Sequence, residues 1–310
     1  MNGKVILVIM DGVGFEAAVT QCGFLEGAVE LGRARRWKMR AALPSVSAAM
    51  YETLHTGLSP LDHGVTGNEA LRRSTQPNIF SACRQHGLRT AAVAQSYFFT
   101  LYQSRAYDPL RDVECDDPNE TIQYGRFYSM EGYGPTNAVA PAEIDLCAQA
   151  NILIQRHEPS YLLLHSCSAD TLGHTFGGGS AEYLKQAWHI DNALARVIPS
   201  WIETGYEVFV TADHGMSAEG WHGGTEASMR DVAFYAFSDA AGPREDQILD
   251  QLAVAPTVLS RIGAPLPQTM AERPFLTSRV AGFIEPPQSA SGGGARGGQL
   301  ARGPRKPARW

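Results

Sequence analysis

Four short, almost wholly apolar runs constrain this chain most: KVILVIM (4–10), RTAAVA (89–94), SYLLLHS (160–166) and YEVFVTA (206–212), with VAFYAF (232–237) a fifth. Runs without polar alternation must be covered on both faces, which is the mark of strands buried in a layered α/β sheet. Helical patterns lie between them. QPNIFSACRQHG (76–87) ends in glycine, PAEIDLCAQANILIQRH (141–157) opens on proline and an acidic first turn, and SAEYLKQAWHIDNALARVIPSWIETG (180–205) runs from a serine cap to a glycine stop. Strand and helix alternate, so the expected fold is α/β: a three-layer sandwich with a mostly parallel central sheet between helices.

Two stretches break the alternation. Residues 96–140 are rich in aromatics, arginine and acids without a clear period, and read as a small inserted cap over a pocket. From 285 onward the sequence is rich in Gly, Pro and Arg with almost nothing to bury, so a disordered tail over 285–310 is expected after one folded unit, 1–284. The length of 310 residues fits such a unit.

Charge and composition exclude several classes. A formal charge of −6 argues against a bulk nucleic-acid partner, since such domains carry a basic face. No segment approaches the roughly 20 apolar residues of a membrane helix, so no membrane partner is expected. The apolar run near the start lacks a cleavage site and leads into Asp11, which suits a first strand better than a signal peptide. Five scattered cysteines without CxxC spacing favour reduced thiols and a cytoplasmic location.

The chemistry gathers at strand ends. VILVIMD delivers Asp11, YLLLHSCSADTLGH delivers Asp170 and His174, YEVFVTADHGM delivers Asp213 and His214, and GWHGGT adds His222. Ligands of open α/β sheets bind beyond the carboxyl ends of strands, so these six side chains should meet at one edge. Three crowded aspartates would repel, and mixed carboxylate and imidazole ligands hold divalent cations that remove the repulsion. Six ligands divide into two sets of three, each with room for substrate, which suggests two metal ions. Gly215 would permit a sharp turn after Asp213 and His214. The DGVG at 11–14 is not a dinucleotide loop, because position 17 is alanine and no acid ends the next strand. Ser45 and Ser47 in ALPSVSAAM have no neighbouring base, and either could be a nucleophile or a helix-cap hydroxyl on this evidence.

VILVIMDGVG, PSVS followed by HTGLSPLDHGVTGN, SADTLGHTFGGGSAEY and TADHGMSAEGWHGG, in that order, resemble the alkaline phosphatase superfamily and most its nucleotide pyrophosphatase/phosphodiesterase branch. The resemblance spans residues 4–240. It implies that Ser47, ten residues before Gly57, is the nucleophile rather than Ser45. It further implies two Zn2+ ions, with Mn2+ the alternative: one on Asp11, Asp213, His214 and the Ser47 oxygen, the other on Asp170, His174 and His222. Asn68 matches the asparagine that donates to a phosphoryl oxygen, together with the backbone N–H after Ser47. A small phosphorylated substrate, possessing a diester or pyrophosphate linkage and cleaved through a phosphoserine, follows from the same likeness.

The chain departs from the branch where substrate is chosen. Nucleotide-cleaving members carry an aromatic directly after the nucleophile, and here Ala48, Ala49 and Met50 follow Ser47. Tyr97 and Phe98 are substitute candidates for the leaving-group pocket. A phosphomonoesterase would need a further cation, for which Arg105, Arg111 and Arg126 are available. A phosphonate hydrolase is disfavoured because Gln95 and Ser96 stand where that relative has lysine. A metal-holding binding protein without activity is the alternative of another class. The remaining histidines, His55, His63, His86, His157, His165 and His189, read as packing, turn or surface residues.

Overall fold

A computed structural model describes residues 3–130 and 140–277. The disordered tail expected from 285 lies outside these residues. The strands are β1 (Lys4–Met10), β2 (Arg35–Arg40), β3 (Thr90–Gln95), β4 (Glu114–Asp116), β5 (Tyr124–Tyr128), β6 (Tyr161–Ser166), β7 (Tyr206–Thr211), β8 (Asp231–Phe237) and β9 (Ile248–Asp250). They form one nine-stranded sheet in the order β4-β5-β3-β6-β1-β7-β8-β2-β9. All but β4 and β8 point the same way. The five apolar runs are thus all strands, four of them parallel and central or near-central, and VAFYAF is the antiparallel β8.

Two helix layers cover the sheet. One contains Phe15–Gln21, Gly23–Glu30, Glu143–His157 and Ala181–Leu194, and the other Ser47–Thr56, Ile79–Gln85 and Val254–Ile262. The helix expected over 180–205 is two helices, Ala181–Leu194 and Ile198–Glu203. Pro199 accounts for the break, since a mid-helix proline removes an amide donor and clashes with the carbonyl four residues back. No helix among the described residues is long and apolar enough to cross a membrane.

β2 escapes the sequence reading because RRWKMR is charged at four of six positions. Its inward residues Trp37 and Met39 are fully buried, while Arg36 and Arg40 pair with Glu26 and Asp231. Single-sided burial near a sheet edge produces alternation rather than an apolar run.

The described part of the 96–140 segment does not form a cap. Its helix Ser96–Tyr102 buries Phe98, Phe99, Leu101 and Tyr102, and β5 extends the sheet beside β3, with β4 as its antiparallel edge. Phe127 meets Phe99 edge-on at 5.2 Å, and Tyr124 stacks on His157 at 3.7 Å. The aromatics of this stretch are therefore largely sheet core.

Every residue of the Ser47–Thr56 helix is buried, including Glu52. Ser74 Oγ and Tyr102 Oη donate to its carboxylate, the latter at 2.8 Å. Burial nevertheless pushes its pKa from 4.5 up to about 7, against the pull of Ser74, Tyr102 and the Arg72 charge. A folded-state pKa above the unfolded one gives stability that is full below pH 4.5 and lost as pH rises through about 7. Urea unfolding at pH 4.5 and pH 8 should show Glu52→Gln flattening this dependence by roughly 3 kcal/mol relative to wild type. An unaltered slope would place the titration elsewhere.

Candidate active site

Adjacency of β6, β1 and β7 brings three chain segments to one edge of the sheet. Asp11 follows β1 directly, Asp213 and His214 follow β7, and the helix Ser168–Phe176 after β6 carries Asp170 and His174 on successive turns. The segments approach closely at two glycines. Gly12 has φ +75°, and a Cβ there would lie 2.8 Å from the Asp170 Cα. Gly215, expected as a turn, has no positive φ; its need is space, since a Cβ would meet the Ser228 carbonyl at 2.1 Å. Tyr183 Oη ties the first loop together, accepting from Gly14 N at 3.0 Å and donating to the Gly12 carbonyl at 2.7 Å.

The six residues form two touching groups. In the first, His214 Nε2 lies 3.2 Å from Asp213 Oδ2 and 3.5 Å from Asp11 Oδ1. Ser47, the first residue of its helix, places Oγ 3.3 Å from the same nitrogen. In the second, Asp170 Oδ1 lies 3.5 Å from His174 Nε2 and 3.6 Å from His222 Nε2, with the two nitrogens 3.1 Å apart. The His214 ring stacks on His222 at 3.8 Å, so His214 also falls within reach of the second group. His214 Nδ1–H donates to the Gly215 carbonyl at 3.0 Å and His174 Nδ1–H to the Gly220 carbonyl at 2.8 Å. Each ring is thereby turned to present Nε2 inward.

The electrostatics call for cations. Burial first, then the Asp11 charge, raises the Asp170 and Asp213 pKa values well above the ordinary range. For Asp11 burial also acts upward, but hydrogen bonding from His165, the charges of His214 and His165, and the Tyr51 hydroxyl prevail and hold it low. Burial drives His214 down and His222 down to about 3, so both imidazoles favour the neutral, ligand-competent form. Asp11 Oδ1, Asp170 Oδ1 and Asp213 Oδ2 are buried without a hydrogen-bond partner. Three orphaned carboxylate oxygens converging with inward imidazole nitrogens fit divalent metal ions.

Residues 5–225 match the sequence profile of the type I phosphodiesterase/nucleotide pyrophosphatase family. The chain belongs to this family. Murine ectonucleotide pyrophosphatase/phosphodiesterase 5 superposes with a TM-score of 0.60 at 13% identity, over 85% of this chain and 96% of that one. A phosphonate monoester hydrolase from Silicibacter pomeroyi gives 0.55 at 14%, over 91% and 78%. At these identities the likeness is one of fold. The catalytic subunit of human GPI ethanolamine phosphate transferase 3 is 27% identical over 111 residues, 34% of this chain. That match spans 10% of the transferase.

Within this family frame the other candidates separate. Ser45 is fully buried, and its hydroxyl points to the Gly224 carbonyl at 3.4 Å rather than to the acids and imidazoles. Asn68 opens a short turn, Asn68–Ala70, and its Oδ1 accepts from the Ala48 backbone N at 3.0 Å. The amide after Ser47, expected to face the phosphoryl group, is thus engaged in holding Asn68. Phe98 lines no pocket: it is fully buried and stacks on Tyr51 at 4.5 Å. Tyr97 is half-buried at the site margin, where burial and the charges of Glu69, Asp11 and Asp170 raise its pKa.

The three arginine candidates are occupied elsewhere. Arg105 and Arg111 pair with Asp112, and Arg126 pairs with Glu114 and Asp116 across β4 and β5. His55 bonds Tyr161 Oη at 2.9 Å and stacks on Phe80, and His63 faces Thr53 Oγ1 at 3.0 Å, in keeping with packing and turn roles. The sequence reading missed Tyr51, whose hydroxyl donates to Asp11 Oδ2, and Gln251, whose Nε2 donates to the Ala212 and Asp213 carbonyls at 2.9 and 2.8 Å. It also took His165 for packing, whereas Nε2 of that ring lies 3.3 Å from Asp11 Oδ2. Isolated polar residues inside an apolar run or a buried helix carry no spacing signal that would have exposed them.

Proposed function

We propose that this protein hydrolyses small phosphate diesters or pyrophosphates through a phosphoserine on Ser47. One observation carries the reading: Ser47 Oγ stands at the head of a buried helix, 3.3 Å from His214 Nε2, beside two groups of acids and imidazoles with orphaned oxygens. Two divalent cations, zinc on the family resemblance, supply when bound the positive charge that acidifies the Ser47 hydroxyl and neutralises the phosphoryl oxygens. Asp11, Asp213 and His214 would hold one, and Asp170, His174 and His222 the other.

Ser47 Oγ forms a bond to phosphorus as the bond to the leaving oxygen breaks, and the leaving group departs as an alcohol or phosphate. Water then attacks the phosphorus of the serine adduct, which still carries the second ester, and the Ser47 oxygen leaves as the phosphate monoester is released. Asn68 is fixed through Oδ1 by the Ala48 amide, which leaves its NH2 free to donate to a non-bridging oxygen. The helix start at Ser47 adds a favourable dipole for the anion. Tyr97 borders the leaving group at the site margin.

Diesters are preferred over monoesters on charge grounds. Among the described residues, the hydrogen bonds and ion pairs of Ser47, Asn68 and the six ligands involve no lysine or arginine. A dianionic monoester therefore finds no cationic side chain among these partners for its extra charge. After metal analysis of the purified protein, turnover of bis-p-nitrophenyl phosphate and p-nitrophenyl phosphate should differ by about tenfold or more in kcat/KM, roughly 1.4 kcal/mol, in favour of the diester. A monoester preference would overturn the diesterase reading, and absence of both metal and turnover would overturn the hydrolytic one.

A further inference from the structure

We infer that His165 is a positioning residue that decides which oxygen of Asp11 faces the metal site, an inference resting on the two-metal reading above. β6 runs beside β1 with His165 in register with Ile9, two residues before Asp11. The imidazole is fully buried among aromatic rings, 4.9 Å from Tyr51 and 5.2 Å from Phe98 between centroids. A buried polar ring in such a nest is costly unless its nitrogens find partners. Nδ1 lies 2.8 Å from Tyr128 Oη, and Nε2, which forms no aligned hydrogen bond, has Asp11 Oδ2 as its ion-pair neighbour at 3.3 Å.

These contacts set the tautomer. A carboxylate oxygen offers only lone pairs, so Nε2 carries the proton that faces it, and the Tyr128 hydroxyl, shared between Nδ1 at 2.8 Å and the His165 carbonyl at 3.1 Å, is the donor beside the bare Nδ1. Asp11 Oδ2 then faces two donors, the Tyr51 hydroxyl and the His165 N–H. Oδ1 has no partner and points toward His214 Nε2, 3.5 Å away. The carboxylate is divided: one oxygen is anchored in the protein, and the other is reserved for a cation shared with Asp213 and His214. Loss of the anchor would let the group rotate and weaken that one site, as outer partners of metal ligands characteristically do.

Stepwise zinc dissociation constants, measured on chelator-stripped full-length protein by competition with a chromophoric chelator, provide the test. His165→Phe keeps ring volume and removes both nitrogens. It should weaken one of the two zinc sites about 10- to 100-fold and leave the other unchanged. His165→Gln, which restores an N–H donor, should recover most of the loss, a rescue that a packing role would not predict. Tyr128→Phe should weaken the same site to a smaller degree. Unchanged constants in His165→Phe overturn the proposal, and should that variant not fold, unchanged constants in Tyr128→Phe do so. Wild-type protein that binds no zinc would instead overturn the metal-site reading and this inference with it.

Discussion

Ser47→Ala should lose about a thousandfold or more in kcat, roughly 4 kcal/mol of barrier, while its fold and metal content stay intact. Val46, not Ser47, is the N-cap of the helix, and the hydroxyl's partner is His214 Nε2, so its removal leaves the helix start unharmed. A thermal midpoint close to wild type would separate lost chemistry from lost structure. Ser45→Ala is the matched control. Its hydroxyl reaches only toward the Gly224 carbonyl at 3.4 Å, and the variant should turn over at the wild-type rate. Acid quenching of wild-type protein during turnover should leave on Ser47 the phosphoryl group of the substrate, still carrying its second ester. Wild-type turnover by Ser47→Ala at matched metal occupancy would sink the nucleophile assignment.

Asp213→Asn should change the sign of its stability effect with metal. Its Oδ1 accepts from Gly12 N at 3.1 Å and His214 N at 2.9 Å, and asparagine keeps that acceptor. Its Oδ2 is buried and unpartnered. Burial and the charges of Asp11 and Asp170 raise the folded pKa well above 3.8, so the stability linked to this group is full below pH 3.8 and is lost as pH rises toward the folded value. At pH 8 in chelator the variant should therefore unfold at a higher temperature than wild type, by a few degrees for each of about 1–2 kcal/mol relieved. With zinc at a thousandfold above its dissociation constant, wild type gains about 4 kcal/mol per site and the order reverses. A variant less stable in both conditions by the same margin would mean that the aspartate serves structure alone.

Both predictions rest on residues read from the linear sequence. Asp11, Asp170, His174, Asp213, His214 and His222 were legible because each follows an apolar strand, and parallel strands must deliver their ends to one edge. β2 was not, since a strand buried on one face hides its pattern among arginines. Nor was the role of 96–130, which read as an inserted cap with aromatics in its core or its pocket and continues the sheet instead. Phe98 failed as a pocket residue for the same reason: composition shows that rings must be buried, not against what.

The sequence by itself determined the α/β layering and the acids and imidazoles that converge at one sheet edge, because these follow from local periodicity and from residue type at strand ends. Only the tertiary structure decided how those groups are held. Asn68 is anchored by the Ala48 amide, Asp11 is divided between Tyr51, His165 and the site, and the arginines are spent on Asp112, Glu114 and Asp116. Apart from the adjacent Arg111–Asp112 pair, these contacts join residues roughly 7 to 150 positions apart, set by packing of whole elements, and no local pattern encodes them.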